Sequence, residues 1–269
     1  MITYRNAQAH ELDTILDWAA AEGWNPGLDD AAAFWAADPG GFFVAVDGVR
    51  PVAAISVVNH TDHFAFLGLY IVTPNYRGRG VGYALWQHAL AHAGTRTVGL
   101  DGVQEQQANY AASGFVHAGG TTRFAGAVMA QPVSARLATA ADIPDLIGRE
   151  ADVTGVHKPA YLGAWFTNTA DRKTLLLGGG ICTIRKCRSG AKIGPLIAPD
   201  LVTARDLIGQ AAGYFGPDVI IDVPDAAGGL TGLCNDLGLT PGFQTARMYR
   251  GAAPAACGDI FAVTSLELG

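Results

Sequence analysis

The constraint that most limits what this chain can fold into is an internal duplication. "ITYRNAQAHELDTIL", from Ile2, resembles "VSARLATAADIPDLI", from Val133, with Arg5, Ala7 and Ala9 opposite Arg136, Ala138 and Ala140. Apolar residues at helical spacing follow in both, Leu12, Ile15 and Leu16 in the first and Ile143, Leu146 and Ile147 in the second. Further blocks match in the same order. "FLGLYIVTP" from Phe66 corresponds to "KIGPLIAP" from Lys192, and "GLDGV" to "IIDVP" with Asp101 opposite Asp222. "SGFVHAGGTTRFAG" corresponds to "LGLTPGFQTARMYRG", which sets Gly114 against Gly238 and Arg123 against Arg247. Such ordered matches imply a duplicated α/β unit, with domains at 1–130 and 133–269, a division that the 269 residues accommodate.

In the first copy the pattern predicts strands over 2–5, 41–46, 52–59, 63–72, 97–102 and 121–128. Helices are predicted over 10–22, 28–37, 80–93 and 105–113, and "VDGV" at 46–49 reads as a hairpin turn.

Gly78, Gly80 and Gly82 lie between a strand ending near Thr73 and a helix with Val81, Leu85, Ala89 and Leu90 on one face. A glycine-rich turn into a helix leaves backbone N–H groups unpaired at the positive end of the helix dipole, a seat for phosphate. Arg77 and Arg79 add charge that phosphate oxygens can accept. A Walker loop is excluded because Tyr83 and Ala84 follow Gly82, and a Rossmann loop would need glycine at position 83. The loop alone also fits a plain surface turn.

The net charge of −6 argues against nucleic-acid binding, and no apolar run reaches the ~20 residues of a membrane span. No signal-like start is present, so the expected location is cytoplasmic. Residues 1–130 hold no lysine, six arginines and eleven acids, which makes a cation the easier guest there. Cys182, Cys187, Cys234 and Cys257 lack metal-site spacing and read as reduced thiols, with no metal expected.

"LYIVTPNYRGRGVGYALW", followed by a strand and "NYAASGF", resembles the acetyl-CoA-binding signature of the GNAT acetyltransferase superfamily. "EGWNPG", "IGPLIAP", "RMYRG" and "LELG" are similar to a subfamily with a working first domain and a degenerate second. The resemblance implies two tandem GNAT-like domains, each with a central mixed, mostly antiparallel sheet flanked by helices. It implies transfer of an acetyl group from acetyl-CoA, as co-substrate, to a primary amine by direct attack in a ternary complex. An acyl-CoA-responsive binding module without turnover is the alternative.

Carried onto this sequence, the pyrophosphate would lie on Arg77, Gly78, Arg79, Gly80, Val81 and Gly82. Tyr70, Ile71 and Val72 would pair with the cofactor's amide-bearing arm, and Asn109, with Gln106 and Gln107, would reach the cofactor from the later helix. Val103 stands where an asparagine is usual. Tyr110 corresponds to the general acid. For the base, which must deprotonate an alkylammonium of pKa ~10, Glu22 is the first candidate and Asp101 the second, followed by His60 and His63. Each also reads as an ordinary surface or helix-end charge. Trp24, Phe34 and Trp35 could wall a pocket or fill a core.

The second copy has "PDLVTARDL" in place of the glycine loop and Cys234 opposite Tyr110, with Asp200 and Asp206 set to repel phosphate. It is therefore expected not to bind acetyl-CoA, leaving open whether it completes the acceptor pocket, binds a regulator or supports the first domain. The expected partner is a small-molecule or protein amine, with neither nucleic acid nor membrane, and a homodimer stays open.

Overall fold

The structure, a computed structural model, describes residues 1–256 and 260–269. The first copy runs β1 (Ile2–Asn6), α1 (Glu11–Ala21), α2 (Asp30–Ala37), β2 (Phe42–Asp47), β3 (Arg50–Asn59) and β4 (Phe64–Val72). It continues through α3 (Val81–Leu90), β5 (Thr97–Val103), α4 (Gln107–Ala112) and β6 (Val116–Ala127). The second repeats the order as β7 (Arg136–Leu137), α5 (Ile143–Thr154), α6 (Pro159–Trp165), β8 (Arg172–Leu177), β9 (Gly180–Lys186) and β10 (Ala191–Ala198). Then come α7 (Leu201–Phe215), β11 (Asp218–Pro224), α8 (Gly228–Asp236) and β12 (Thr240–Arg250). A final strand, β13 (Ile260–Ala262), has no counterpart in the first copy. The architecture is the expected mixed α/β type.

The β-branched and aromatic runs do not build two separate sheets. They form one, ordered β1-β2-β3-β4-β5-β12-β6-β11-β10-β9-β8-β7, with β13 on β10. Each copy's last long strand has crossed to the other: β12 pairs with β5, β6 pairs with β11, and β6 and β12 pair with each other. Thr121 opposes Thr245, its equivalent in the repeat, so a local twofold axis passes between them. The predicted strand leaves Gly119 and Gly120 out, but β6 begins five residues earlier. They are instead held in the ladder opposite Arg247 and Ala246, and the Asp225 carboxylate accepts from Gly120 N–H at 2.8 Å.

The exchange puts the repeated Arg and Asp residues in reciprocal pairs. Arg123 donates to both oxygens of Asp222 at 2.7 and 2.9 Å, and Arg247 to both oxygens of Asp101 at 2.8 and 2.7 Å. Burial opposes ionisation of Asp222, but Arg123, with Lys192 and Arg185 nearby, holds its carboxyl below the usual range. The stabilisation from that shift is therefore complete above the unfolded pKa of about 4 and is lost as pH falls through the lower folded value.

The helices cover this sheet and join the copies elsewhere. Phe34 on α2 stacks on Trp165 of α6 with ring centroids 6.1 Å apart, and Trp35 stacks on Phe42, so these candidate pocket aromatics are core. Asp30 of α2 bridges buried Arg172 and Arg185 of the second copy at 3.1 and 3.2 Å.

Removing one member of a buried pair strands the other charge, so Arg123→Leu or Asp222→Leu alone should each cost about 3–5 kcal/mol. The double Leu variant should recover a large part of that loss in a urea-unfolding double-mutant cycle, and strictly additive losses would show that the pair does not couple.

Candidate active site

β4 and β5 are parallel and pair only over Phe64–Leu67 with Thr97–Leu100. Beyond Leu67 the two strands part. Leu69 adopts a left-handed conformation (φ 47°) within an irregular stretch of the β3–β4 register, and β4 continues to Val72 without a β5 partner. The edge of Gly68–Val72 therefore faces an open notch.

The glycine loop closes one end of that notch. Gly78 and Gly80 have φ of 72° and 77°, which only glycine adopts cheaply, and Gly80 caps α3. Gly82 serves a different purpose: a Cβ there would lie 2.7 Å from the Tyr70 hydroxyl oxygen and from Val72 Cγ2. The first N–H beyond the loop to find a helical acceptor is that of Ala84, bonded to Gly80 O at 3.1 Å. Among the described residues, the N–H groups of 78–82 have no acceptor.

Arg77 donates through Nε to Val72 O at 2.8 Å and through Nη2 to Glu22. Glu22 thus sits against the glycine loop and lines a groove of about 560 Å³ with Tyr70, Ile71, Val72 and the loop glycines. Arg79 is exposed with its guanidinium 5.6 Å from the Tyr76 ring centre, and Val81 is buried beneath the loop. Asn109 is exposed and donates to Gln106 at 2.9 Å; Val103, Glu105 and Gln106 are the later residues that line the groove.

The groove shares Trp24, Tyr70, Val103 and Gln106 with a tighter cavity of about 70 Å³ between the parted strands, lined also by Asp101, Tyr110, Arg123, Phe243, Thr245 and Glu267. The Tyr110 ring is stacked on Trp86 at 5.4 Å, and Gly102 makes room for it, since a Cβ there would lie 2.8 Å from the ring. Its hydroxyl has no hydrogen-bond partner among the described residues. Burial, with Tyr70 close by, raises its pKa, so the phenol stays protonated.

Asp101 lines the cavity, yet both of its oxygens are taken by Arg247; burial raises its pKa and that guanidinium offsets it only in part. His60 lies elsewhere, bonded through Nε2 to Leu268 O at 2.8 Å. Burial and the charge of Lys158 push its pKa down to about 3, so its ring is neutral. His63 lies exposed on the turn before β4.

Arg123, Phe243, Thr245, Leu266 and Glu267 were not expected in this cavity. They arrive through the strand exchange and through residues 264–269, which fall outside the repeat. That segment is tied down: Thr264 Oγ1 donates to Glu150 at 2.9 Å, Tyr161 to Ser265 Oγ at 3.1 Å, and Lys158 to Gly269 O at 2.7 Å. Glu267 O presses on Gly68 so closely that a Cβ there would come within 2.0 Å.

The second copy's equivalent notch is filled. β10 and β11 pair over Ala191–Ile193, and beyond them β13 pairs with Leu196–Ala198 while Val263 N–H bonds Asp222 O at 3.1 Å. The Asp200 carboxylate caps α7, accepting from Thr203 N–H at 2.7 Å, where the first copy has its free loop. Cys234 is fully buried. Cys182, Cys187 and Cys234 are free and buried, and Cys257 lies outside the described residues. Among the described residues no cluster of metal-ligating side chains occurs and no helix is long and apolar enough to cross a membrane.

A model of the acetyltransferase (GNAT) family matches residues 9–119, and a model of an acetyltransferase (GNAT) domain matches 151–262. Holothin acyltransferase of Pseudoalteromonas sp. (strain SANK 73390) is 35% identical over 277 residues, covering 99% of this chain and 94% of that protein. The chain belongs to the GNAT acyltransferases. Solved structures share its fold. One from Pyrococcus horikoshii, provisionally assigned as an acetyltransferase, aligns over 100% of this chain and 96% of its own with a TM-score of 0.84 at 18% identity. The tandem GNAT protein from the clavulanic acid biosynthesis pathway aligns over 96% and 100% with a TM-score of 0.60 at 16% identity. This GNAT chain is an acyltransferase in tandem form, from a family that uses acyl-CoA donors.

Gly68→Ala should drive Glu267 and its neighbours off β4, costing about 1–3 kcal/mol by overpacking. Thermal melts should show the drop, with acyl transfer falling alongside; an unchanged melting temperature would mean that the segment packs elsewhere.

Proposed function

We propose that the first copy transfers an acetyl group from acetyl-CoA to a primary amine, by direct attack within a ternary complex. The observation that carries this reading is the continuity of unpaired N–H groups at 78–82, a free β4 edge and a cavity ending at an unpartnered Tyr110 hydroxyl. The N–H groups of Gly78, Arg79, Gly80, Val81 and Gly82 would bind the pyrophosphate, with Arg77 bracing the loop through Val72 O and Arg79 supplying charge from outside. Tyr70, Ile71 and Val72 would pair with the amide-bearing arm as an added strand does, and an N–H on this edge would stabilise the thioester oxyanion. Asn109 would act indirectly by orienting Gln106.

Tyr110 is the proposed acid. As the N–C bond forms and the C–S bond breaks, its proton passes to the departing thiolate. The 35% identical relative is named for holothin as its acceptor, which supports a small-molecule amine over a protein one. The second copy, with its loop replaced and its notch filled by β13, supplies walls to the first site and binds no acyl-CoA of its own.

Titration calorimetry should accordingly give one acetyl-CoA per chain. Gly80→Ala should weaken binding at least tenfold by straining the left-handed turn, whereas Asp200→Ala should leave binding unchanged and cost about 1 kcal/mol of stability as a lost helix cap. Two acetyl-CoA per chain would refute the assignment of a single site.

Tyr110→Phe should lower kcat by roughly 10²–10⁴-fold without raising the acetyl-CoA KM. Because the raised pKa keeps the phenol protonated, no alkaline loss of kcat from Tyr110 should appear below about pH 10. CoA release measured with a thiol reagent across a panel of primary amines checks both, and wild-type turnover by the Phe variant would remove Tyr110 from the chemistry.

A further inference from the structure

We infer that Glu267, carried on the segment that follows the second copy, is the base that receives the proton of a cationic amine in the first copy's cavity. This rests on the acyl-transfer reading above and names the group that reading leaves unassigned.

Glu267 is 4% exposed and lines the cavity with Tyr70, Asp101 and Tyr110. Its Oε2 is buried without any hydrogen-bond partner, and neither of its oxygens is bonded among the described residues. A buried carboxylate with unused lone pairs is costly unless something supplies donors, and an alkylammonium entering the cavity brings three. Of the other carboxylates around the cavity and groove, Asp101 is committed to Arg247, Asp222 to Arg123 and Glu22 to Arg77, while Glu105 lines the groove and is exposed.

The backbone beneath Glu267 is fixed as a catalytic group requires. Leu268 N–H donates to Ser265 Oγ at 3.0 Å, Leu268 O accepts from His60, and Gly68 leaves room for Glu267 O. The cations Arg123 (β6), Arg185 (β9) and Lys192 (β10) all feel its charge. So do Asp101 (β5), Tyr161 (α6) and Cys187, while Tyr70 (β4) and Tyr110 (α4) face it across the cavity.

The protons balance with Glu267 and Tyr110 together. The ammonium gives one proton to Glu267, which releases it to solvent after product leaves. The neutral amine attacks the thioester carbon, forming the N–C bond. As the C–S bond breaks, Tyr110 protonates the thiolate and is restored by the second proton lost from the new amide nitrogen.

Glu267→Gln keeps the shape and removes the base. The test uses the full chain with acetyl-CoA and whichever of benzylamine, tyramine, histamine or spermidine the wild type turns over fastest. At pH 7 the Gln variant should lose about 100-fold or more in kcat/KM with its acetyl-CoA thermal shift unchanged. The deficit should shrink about tenfold per pH unit as the pH rises toward the amine's own pKa, because solution then supplies the neutral amine. Unchanged activity, or a loss that is the same at every pH, would overturn the role of Glu267. Absence of wild-type turnover with all four amines would instead count against the acyl-transfer reading, so the two failures are separable.

Discussion

The reciprocal ion pairs Arg123–Asp222 and Arg247–Asp101 are the constraint on which the rest of this protein depends. Each joins the last long strand of one copy to the central strand of the other, in direct register across the sheet. A buried ion pair is weak evidence for net stability, because desolvation consumes much of the Coulomb gain. It is strong evidence for specificity, since an arginine left opposite an apolar residue, or an aspartate without its guanidinium, would be penalised heavily. With the repeats so alike, these pairs fix which strand lies next to which and hold the two halves as one continuous sheet.

Because the exchange is reciprocal, what separates the two copies is how each treats its parted strands. Both contain a parallel pair that parts after a few residues, and a parted pair exposes backbone groups that must find partners. In the second copy β13 and Val263 supply them from the chain itself, and Asp200 satisfies the helix start. In the first copy, among the described residues, the strand edge and the loop N–H groups remain free. One fold thus yields a satisfied notch and an unsatisfied one, and the unsatisfied one is the proposed acyl-transfer site.

The duplication, the element order and the glycine loop were legible because each is local. Gly78 and Gly80 announce positive φ, and the periodicity of Leu12, Ile15 and Leu16 announces a helix face. Strand exchange was not legible, because a swapped strand has the same alternation as an unswapped one; only the repeated Arg123/Arg247 and Asp101/Asp222 hinted at a relation, without saying that they pair crosswise. Asp101 reads as a carboxylate at a strand end, but its guanidinium partner lies 146 positions away in sequence. Glu22, read from "EGWNPG" as the first candidate base, is set by the structure on Arg77 beside the glycine-loop groove. Leu266 and Glu267 stand in the "LELG" that carries the tandem resemblance, but nothing local to that stretch says that it packs into the first copy's cavity.

The lysine-free first half takes on a second meaning in this light. Arg172, Arg185 and Lys192 of the second copy and Arg123 of the first are almost fully buried. Asp30 and Asp222 bond three of these, while Lys192 and Arg123 both donate to Trp24 O at 3.0 Å, fixing that wall of the cavity. Cations outnumber the carboxylates that bond them in this cluster. Glu267 lies beside this cluster without being pinned by a hydrogen bond among the described residues, so its lone pairs stay available. A carboxylate held by an arginine would be ionised but blocked, and one without nearby cations would be free but driven toward neutrality by burial. Glu267 rides on a segment packed between the two copies, so the proposed reading gives the second copy a part in the chemistry although its own notch is closed.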